Sequence, residues 1–546
     1  MSDSRKRSTR TGTTAVTATA VAAVAAGLLA GPASALTGTP AADGAFTHTA
    51  RLTVGEGDTA RACTGVLVAA DALLTAADCF AARPGERVAA GKPARKSTAA
   101  VGDQTVEVTA LAPREDRQLV LAQLARPVTE VAPVRLATAA PAAGTAVTAA
   151  GFGRTRTDWV PGKAHSGAFD TVTADATTLR LKGRSGAGVC KGDAGGPVLA
   201  ADGTLVAVSS RSWGAGCLGT DPAETRTDAV AVRADGLADW ITQTRALAPG
   251  WKTEALVQSG AGLHQAIRLA DGTWTGFTDV QAAAGGVGGV RAASVAGVNG
   301  DTHVVVLATD GRLHHTVRTA DGRWGTFGHI GAVAGTLENV TQVSTVSVGA
   351  DLHVVAVAGG RVFHTVRNAT GHWTPFGDVE AATGPIGDVS QVATASAGGA
   401  LQVIAVSGGR ALHTLRATTG HWTAWGNVAQ AAGPTGPVTS VAMAGTGGDA
   451  HVVVATDGGT RQYHAIRRAD GRWDSFGDLA GVLGNVTAGS VAAAGVDGEL
   501  QVAVTTADGR VLHTVRHTDR TWAKTVPVTA PGLPGTPGAV DLAGTL

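Results

Sequence analysis

Between residues 36 and 245 the apolar residues come in short runs that alternate with polar ones. Examples are TGVLVAA (64–70), ALLTAA (72–77), LVLAQL (119–124) and TLVAVSS (204–210), each bounded by Gly, Pro or Asp. Period-two alternation broken by turn formers predicts short antiparallel β-strands. After RALAPGW (245–251), read as a linker over 246–251, the pattern becomes periodic on a longer scale. HTVRTADGRWGTFGHI at 315, HTVRNATGHWTPFGDV at 364, HTLRATTGHWTAWGNV at 413 and HAIRRADGRWDSFGDL at 464 are copies of one unit. QAIRLADGTWTGFTDV at 265 and HTVRHTDRTWAKTVPV at 513 are its weaker terminal members.

Six tryptophans, Trp274, Trp324, Trp373, Trp422, Trp473 and Trp522, mark the unit at intervals of 49 to 51 residues. Within one unit the runs VTSVAMAG, AHVVVATD, QYHAIRRA and RWDSFGDL read as four strands separated by Gly- or Asp-rich turns. Four short strands in a unit of this length describe a propeller blade. The first unit has only KTEALVQS and LHQAIRLA before its tryptophan, whereas the tail PGAVDLAGTL (537–546) starts a blade with nothing after it. The tail is therefore expected to complete blade one and close a six-bladed ring without a free edge. A seven-bladed ring is the alternative, although no further tryptophan marks the extra blade. The fold class expected for the chain is all-β: a barrel domain over 36–245 and a propeller over 252–546.

The first 35 residues belong to neither domain. A basic start (Arg5, Lys6, Arg7, Arg10), an alanine-rich apolar segment and the small-residue site Ala33-Ser34-Ala35 predict a secretory signal peptide, and so a secreted, extracellular protein without membrane insertion. Its removal takes away four basic residues and Asp3, a net +3, which turns the formal +1 of the chain into −2. Nothing in that balance draws nucleic acid. The four cysteines, all before residue 220, suit two disulfides in an exported domain, with three pairings open.

Five landmarks of the first domain stand in a telling order: TAADC (75–79), DRQLVLAQL (116–124), GFGRT (151–155), CKGDAGGP (190–197) and SWGAGC (212–217). Together they resemble the trypsin family of serine endopeptidases over roughly 210 residues. The resemblance implies a double β-barrel of six-stranded halves and the disulfides Cys63–Cys79 and Cys190–Cys217. It also places the family's catalytic triad. Asp78 stands at the general-base histidine position, Gln118 at the aspartate position (six residues before Leu124) and Ala194 at the nucleophile. Ala194 has no oxygen to attack a carbonyl, Asp78 cannot take and return the hydroxyl proton, and Gln118 carries no charge to support an imidazolium. The remaining histidines of this half, His48 and His165, lie in no matching motif. No peptidase activity is expected from this site.

The frame around the triad is retained. Gly192 and Ala194 would offer backbone N–H groups as an oxyanion hole. LTGTP (36–40) resembles the family's mature terminus, so signal cleavage would free a Leu36 amine able to pair with Asp193. Asp78 and Gln118 are expected either to share a hydrogen bond or to leave Asp78 unpaired in water. Gly188 and Val189 match the specificity pocket and place no acid at its base.

The repeat signature His-Thr-Val-Arg, Asp-Gly-x-Trp, Phe-Gly resembles bacterial fucose-type lectin propellers, which implies sugars held between adjacent blades. Two readings compete. In one, each Trp and the aromatic three residues on (Phe277, Phe327, Phe376, Trp425, Phe476) pack between blades while the Arg six before the Trp braces a turn. In the other, Trp324, Trp373, Trp422 and Trp473 face sugar rings while His315, His364, His413, His464 and His513 bind hydroxyls. No turn has the Asp-x-Asp-x-Asp-Gly run of a calcium loop, so neither metal nor cofactor is expected. The expected partners are glycans or cell-surface proteins for the propeller, and protease inhibitors or peptides for the barrel. The function expected is a pseudoprotease joined to a binding propeller. The alternatives are an endopeptidase delivered by its propeller, a decoy for inhibitors, and a pair of rigid spacers.

Overall fold

The computed structural model describes residues 40–546. The expected signal peptide and Leu36 lie outside these residues. The first half closes two six-stranded barrels. One contains β1 (Thr49–Val54), β2 (Arg61–Ala69), β3 (Ala72–Ala76), β4 (Ser97–Val101), β5 (Gln104–Arg114) and β6 (Leu119–Leu124), in the order β1-β2-β3-β6-β5-β4. The other contains β7 (Ala146–Gly151), β8 (His165–Ala174), β9 (Thr178–Gly183), β10 (Pro197–Leu199), β11 (Leu205–Ser212) and β12 (Asp228–Arg233), in the order β10-β11-β12-β9-β8-β7.

Alternation along the strands sends one set of side chains into each barrel. Leu52, Leu67, Leu73 and Val120 fill the first, and Phe169, Leu179, Leu181 and Val198 the second. A third cluster with Leu74, Leu119, Leu205, Val208 and Ile241 seals the barrels against each other. The disulfides are Cys63–Cys79 and Cys190–Cys217, as the resemblance implied.

The second half is a propeller of six four-stranded sheets. The tail strand Pro537–Thr545 pairs antiparallel with Lys252–Ser259 and supplies the innermost strand of blade 1, so the ring closes as expected with six blades. Blades 2 to 6 begin at Val290, Val340, Val389, Val438 and Ala488. The second strands, such as Asp301–Ala308 and Glu499–Thr506, are almost wholly buried because neighbouring blades cover both faces.

The inner strands surround a central cavity of about 400 Å³, lined by Ser294, Ser344, Thr394 and Asp541 among others. At one end they crowd together. A Cβ at Gly445 would meet the Ser396 carbonyl at 1.7 Å, and one at Gly495 the Gly445 carbonyl at 1.9 Å.

The fourth strand differs from the sequence reading. It is only two residues long in every blade, for example Gly477–Asp478, and the tryptophan precedes it in a loop. There each Trp forms an isolated bridge to the Arg six residues before it, as in Arg467↔Trp473. The loop frees both aromatic rings to reach the preceding blade: Trp373 and Phe376 pack on a cluster containing Val305, Leu307 and Ile330. The Phe376 N–H donates to the Ala334 carbonyl of that blade at 2.9 Å. In blades 1 to 5 a short helix follows the strand. In blades 1, 3 and 4 Asp279, Asp378 and Asn427 cap it by accepting from backbone N–H groups of its first turn.

The expected linker is partly built into the barrel. The helix α1 (Ala238–Ala246) ends inside it, and its buried Arg245 forms ion pairs with Asp71 of the barrel at 2.7 Å and Asp271 of blade 1 at 2.6 Å. Removing this shared cation leaves two buried carboxylates facing one another. Arg245→Ala is therefore expected to cost about 3–5 kcal/mol, measured as a drop in the denaturant midpoint of the full chain.

Candidate functional site

In the barrel domain, the positions matched to the triad converge where β3 and β6 meet the loop that carries Ala194. The Ala77 N–H donates to the Gln118 carbonyl at 2.9 Å, and the Thr64 N–H to the Ala194 carbonyl at 2.9 Å. Asp78 sits in a single 3-10 turn, Ala77–Cys79, held by the Cys63–Cys79 bridge. Its Oδ1 accepts the Gly85 N–H at 2.8 Å. Gln118 is exposed, with a left-handed backbone at φ 50°. Neither expectation for Asp78 holds: its partner is a backbone amide, close in sequence and already positioned, rather than the Gln118 side chain or water. Asp116 is exposed and paired with Arg114 at 2.7 Å.

Neither the Gly192 nor the Ala194 N–H has an acceptor among the described residues. Gly192 takes φ 101°, which favours glycine, and a Cβ there would lie 2.8 Å from the Gly153 Cα. Asp193 is buried and accepts from the Gly153 N–H at 2.7 Å and the Cys190 N–H at 2.8 Å. Burial pushes its carboxyl up to about 7 against the pull of those two donors. The pairing expected with Leu36 lies outside the described residues. The Ser212 hydroxyl donates to the Val189 carbonyl, tying the SWGAGC landmark to the segment matched to the specificity pocket. Beside them Trp213 is 54 % exposed under the Arg226 guanidinium, 3.4 Å from its ring centre. His48 Nε2 and His165 Nδ1 are buried without a hydrogen-bond partner among the described residues.

In the propeller, the repeated His and Trp are brought together, but across blades. His315 meets Trp373 edge-on at 5.4 Å, His364 meets Trp422 at 5.5 Å and His413 meets Trp473 at 5.5 Å. His464 meets Trp522 at 5.6 Å, and His513 closes the series on Trp274 of blade 1 at 5.4 Å. Trp324 faces the remaining gap, where blade 1 has Gln265 at the histidine position.

Each of these residues has a partner on the second strand that the sequence reading missed. His303 Nδ1 lies 3.0 Å from His315 Nε2, His353 Nδ1 3.0 Å from His364 Nε2 and His451 Nδ1 2.9 Å from His464 Nε2. Gln402 Oε1 accepts from His413 at 2.9 Å and Gln501 Oε1 from His513 at 3.0 Å. In blade 1, Gln265 Nε2 donates to Glu254 Oε2 at 2.5 Å. A polar residue recurring third in an otherwise apolar strand (THVVV, LHVVA, LQVIA, AHVVV, LQVAV) was the available signal.

Burial, helped by the next blade's arginine, pushes the imidazoles far below their ordinary value. His315, His364, His413, His464 and His513 fall to about 3. His303, His353 and His451 fall to about 4. All are neutral hydrogen-bonding groups at neutral pH. Among the described residues no cluster of three or more His, Cys, Asp or Glu could hold a metal, and no helix is long and apolar enough to cross a membrane.

A match to a known family agrees with the double barrel. The family model described as Trypsin matches residues 35–241. Among solved structures the chain is similar to neuropsin, a serine protease expressed in the limbic system of mouse brain, at 22 % identity and TM-score 0.29, covering 37 % of this chain and 95 % of that one. It is also similar to a structure described as GrC, at 18 % identity and TM-score 0.31, covering 38 % and 96 %. No curated protein matches the chain. The protein thus carries a trypsin-family domain, and that domain is joined to a six-bladed β-propeller.

Proposed function

We propose that this chain acts outside the cell as a recognition protein, in which the propeller binds saccharides and the trypsin-fold barrel does not cut peptides. The observation that carries the binding half is repetition. In gap after gap an imidazole of one blade, fixed by a second-strand partner, meets an indole of the next. A flat apolar face beside fixed hydrogen-bonding groups suits a sugar ring, and several weak sites on one ring act together on a glycan-covered surface. The His–Trp contacts also pack the blades, and the two roles are compatible because the indoles are only half-buried.

For the barrel, the support is chemical. Without a nucleophile at 194 or a base at 78, an enzyme of this type loses about 10⁶ in turnover. The test is a broad glycan array with the chain 36–546 beside a Trp373→Ala, His364→Ala variant, together with a casein assay and a serine-reactive probe. Selective binding weakened in the variant, with no cleavage and no labelling, is expected. An empty array would remove the saccharide reading, and a labelled serine in the barrel would restore the endopeptidase reading.

One observation favours a second role for the barrel. The Gly192 and Ala194 N–H groups have no acceptor among the described residues. Such a pair can hold a peptide carbonyl without cleaving it, as a decoy for inhibitors would. Complexes with trypsin inhibitors that survive gel filtration are the expected sign.

A further inference from the structure

We propose that the gaps between blades take saccharides bearing an anionic group, a carboxylate or a sulfate, and that five of the six gaps are built for that charge. This rests on the saccharide-binding reading above and names the class of sugar.

An arginine stands six residues before each tryptophan and bridges to it. Arg268, Arg367, Arg416, Arg467 and Arg516 are half-buried, and among the described residues none has a hydrogen-bond acceptor or an ion-pair partner for its guanidinium. Five unpaired cations in equivalent places are unusual, because a guanidinium drawn partly out of water ordinarily finds a carboxylate or carbonyl.

The blade's own turn shapes the space around each cation. A Cβ at Gly371 would lie 3.1 Å from Arg367 Nη2, one at Gly420 3.2 Å from Arg416 Nη2 and one at Gly272 3.0 Å from Arg268 Nη2. These glycines have φ of 90°, 90° and 83°, so the turn is both left-handed and bare where the guanidinium lies. In blade 6 the equivalent turn residue is Arg520, which adds a second positive charge near Arg516.

No group facing these cations pairs with them directly, although Glu499 and Asp271 act on Arg268, Asp470 on Arg467 and Asp474 on Arg516 from further away. Arg367 acts electrostatically on His303 and His315 of the preceding blade, Arg416 on His353 and His364, and Arg467 on His413. Arg516 acts likewise on His451 and His464, and Arg268 on His513. These imidazoles, with Gln402 and Gln501, carry no charge at neutral pH. The nearby carboxylates are committed elsewhere: Asp470 to Arg472, Asp474 to Arg468, Glu499 to His517 and Asp271 to Arg245. At the Arg268 gap the Trp274 Nε1 is also buried without a partner among the described residues, leaving a second donor in that gap.

The sixth gap is the contrast. There Arg318 faces Glu254, a buried carboxyl held by Gln265, Thr302 and Thr545, so the gap already contains its own acid. The other five carry an unmatched positive charge between a neutral polar pair and an indole face. A guanidinium in that position pairs with a planar carboxylate or a sulfate through charge-assisted hydrogen bonds, while the indole covers the apolar side of the ring.

The test is isothermal titration of the chain 36–546 with lactose, sialyllactose and sulfated lactose at low and high salt. At least tenfold tighter binding of an acidic sugar than of lactose, weakened by salt, is expected, and the tighter of the two acidic arms identifies the anion. Replacing Arg268, Arg367, Arg416, Arg467 and Arg516 by Gln should remove that preference. If the substituted chain fails to fold, the salt dependence of the unaltered protein still decides the matter. Equal affinity for lactose and both acidic sugars would overturn the charge assignment while leaving saccharide binding intact. No binding of any sugar here or on the array would overturn both.

Discussion

Acidification from neutral pH to about pH 5 is expected to unfold the propeller. Eight imidazoles at the blade interfaces are held far below their ordinary value of 6.5, at about 3 or about 4. The unfolded chain therefore binds protons that the native propeller refuses, and stability must fall as pH drops through 6.5 towards the native values. Each refused proton costs about 1.4 kcal/mol per pH unit. If only one proton is refused in each of the five gaps, the loss near pH 5 is on the order of 10 kcal/mol, comparable to the whole stability of an ordinary domain.

Two buried carboxyls work in the opposite direction. Burial raises Glu254 and Asp541, so the cost of keeping them in the fold is relieved on acidification. They are too few to offset eight imidazoles. In the barrel, Asp193 has the same sense as these carboxyls, while His48 and His165 are lowered by burial. The propeller should accordingly melt first. Thermal melts followed by calorimetry from pH 7.5 to 4.5 are expected to show one transition moving steeply down and separating from the other. A propeller transition unmoved between these limits would contradict the assignment of neutral buried imidazoles. Replacing His303, His353 and His451 by Gln, the residue found at 402 and 501, should flatten the dependence.

Deleting residues 537–546 is expected to destroy the propeller while sparing the barrel. The tail strand pairs along its length with Lys252–Ser259 and packs Val540, Leu542 and Ala543 into the ring. Val540 and Leu542 each contribute about 1.5–3 kcal/mol of burial, and the ladder hydrogen bonds about 1 kcal/mol apiece, so the total loss is on the order of 10 kcal/mol. Asp541 also joins the tail to blade 2 by accepting from Ser294 Oγ at 2.7 Å and the Val295 N–H at 2.9 Å. Without the tail the second strand of blade 1 becomes an open edge, a template for aggregation. The truncated chain should elute as aggregate, lose about half of its strand signal in circular dichroism and recover when the ten-residue peptide is supplied in trans. A monomeric truncated chain with an unaltered propeller melt would show that closure contributes little.

Several parts of this architecture were legible in the residue pattern because they depend on short-range alternation and on repetition. The barrels follow from runs such as LVLAQL, and the ring from tryptophans at nearly constant spacing. Closure by the tail was also legible, since a blade missing its first strand and a strand lacking its blade complement each other. The fourth strand was misjudged in length. RWDSFGDL contains strand-forming residues, but its tryptophan and phenylalanine bury more surface on the preceding blade than they would at a sheet edge, so only Gly477–Asp478 remains paired. Asp78 was misjudged for a similar reason: a backbone N–H seven residues away meets its carboxylate before Gln118 can.

The choice of six blades over seven was made by the structure, while by itself the sequence determined the all-β class, the repeated blade unit, the closing strand and, through its resemblance to the trypsin family, the disulfide partners and the missing oxygen at Ala194. These are properties of residue identity and of spacing along one chain. Only the tertiary structure decided that His315 leans on Trp373, that its second-strand partner is His303, that Arg245 bridges Asp71 to Asp271, and that five arginines at the gaps have no direct ion-pair partner among the described residues. Those facts depend on how neighbouring blades and domains are set side by side. The distances that govern hydrogen bonds and charge pairing are distances in space, and residues some fifty or more positions apart along the chain acquire them only when the ring has closed.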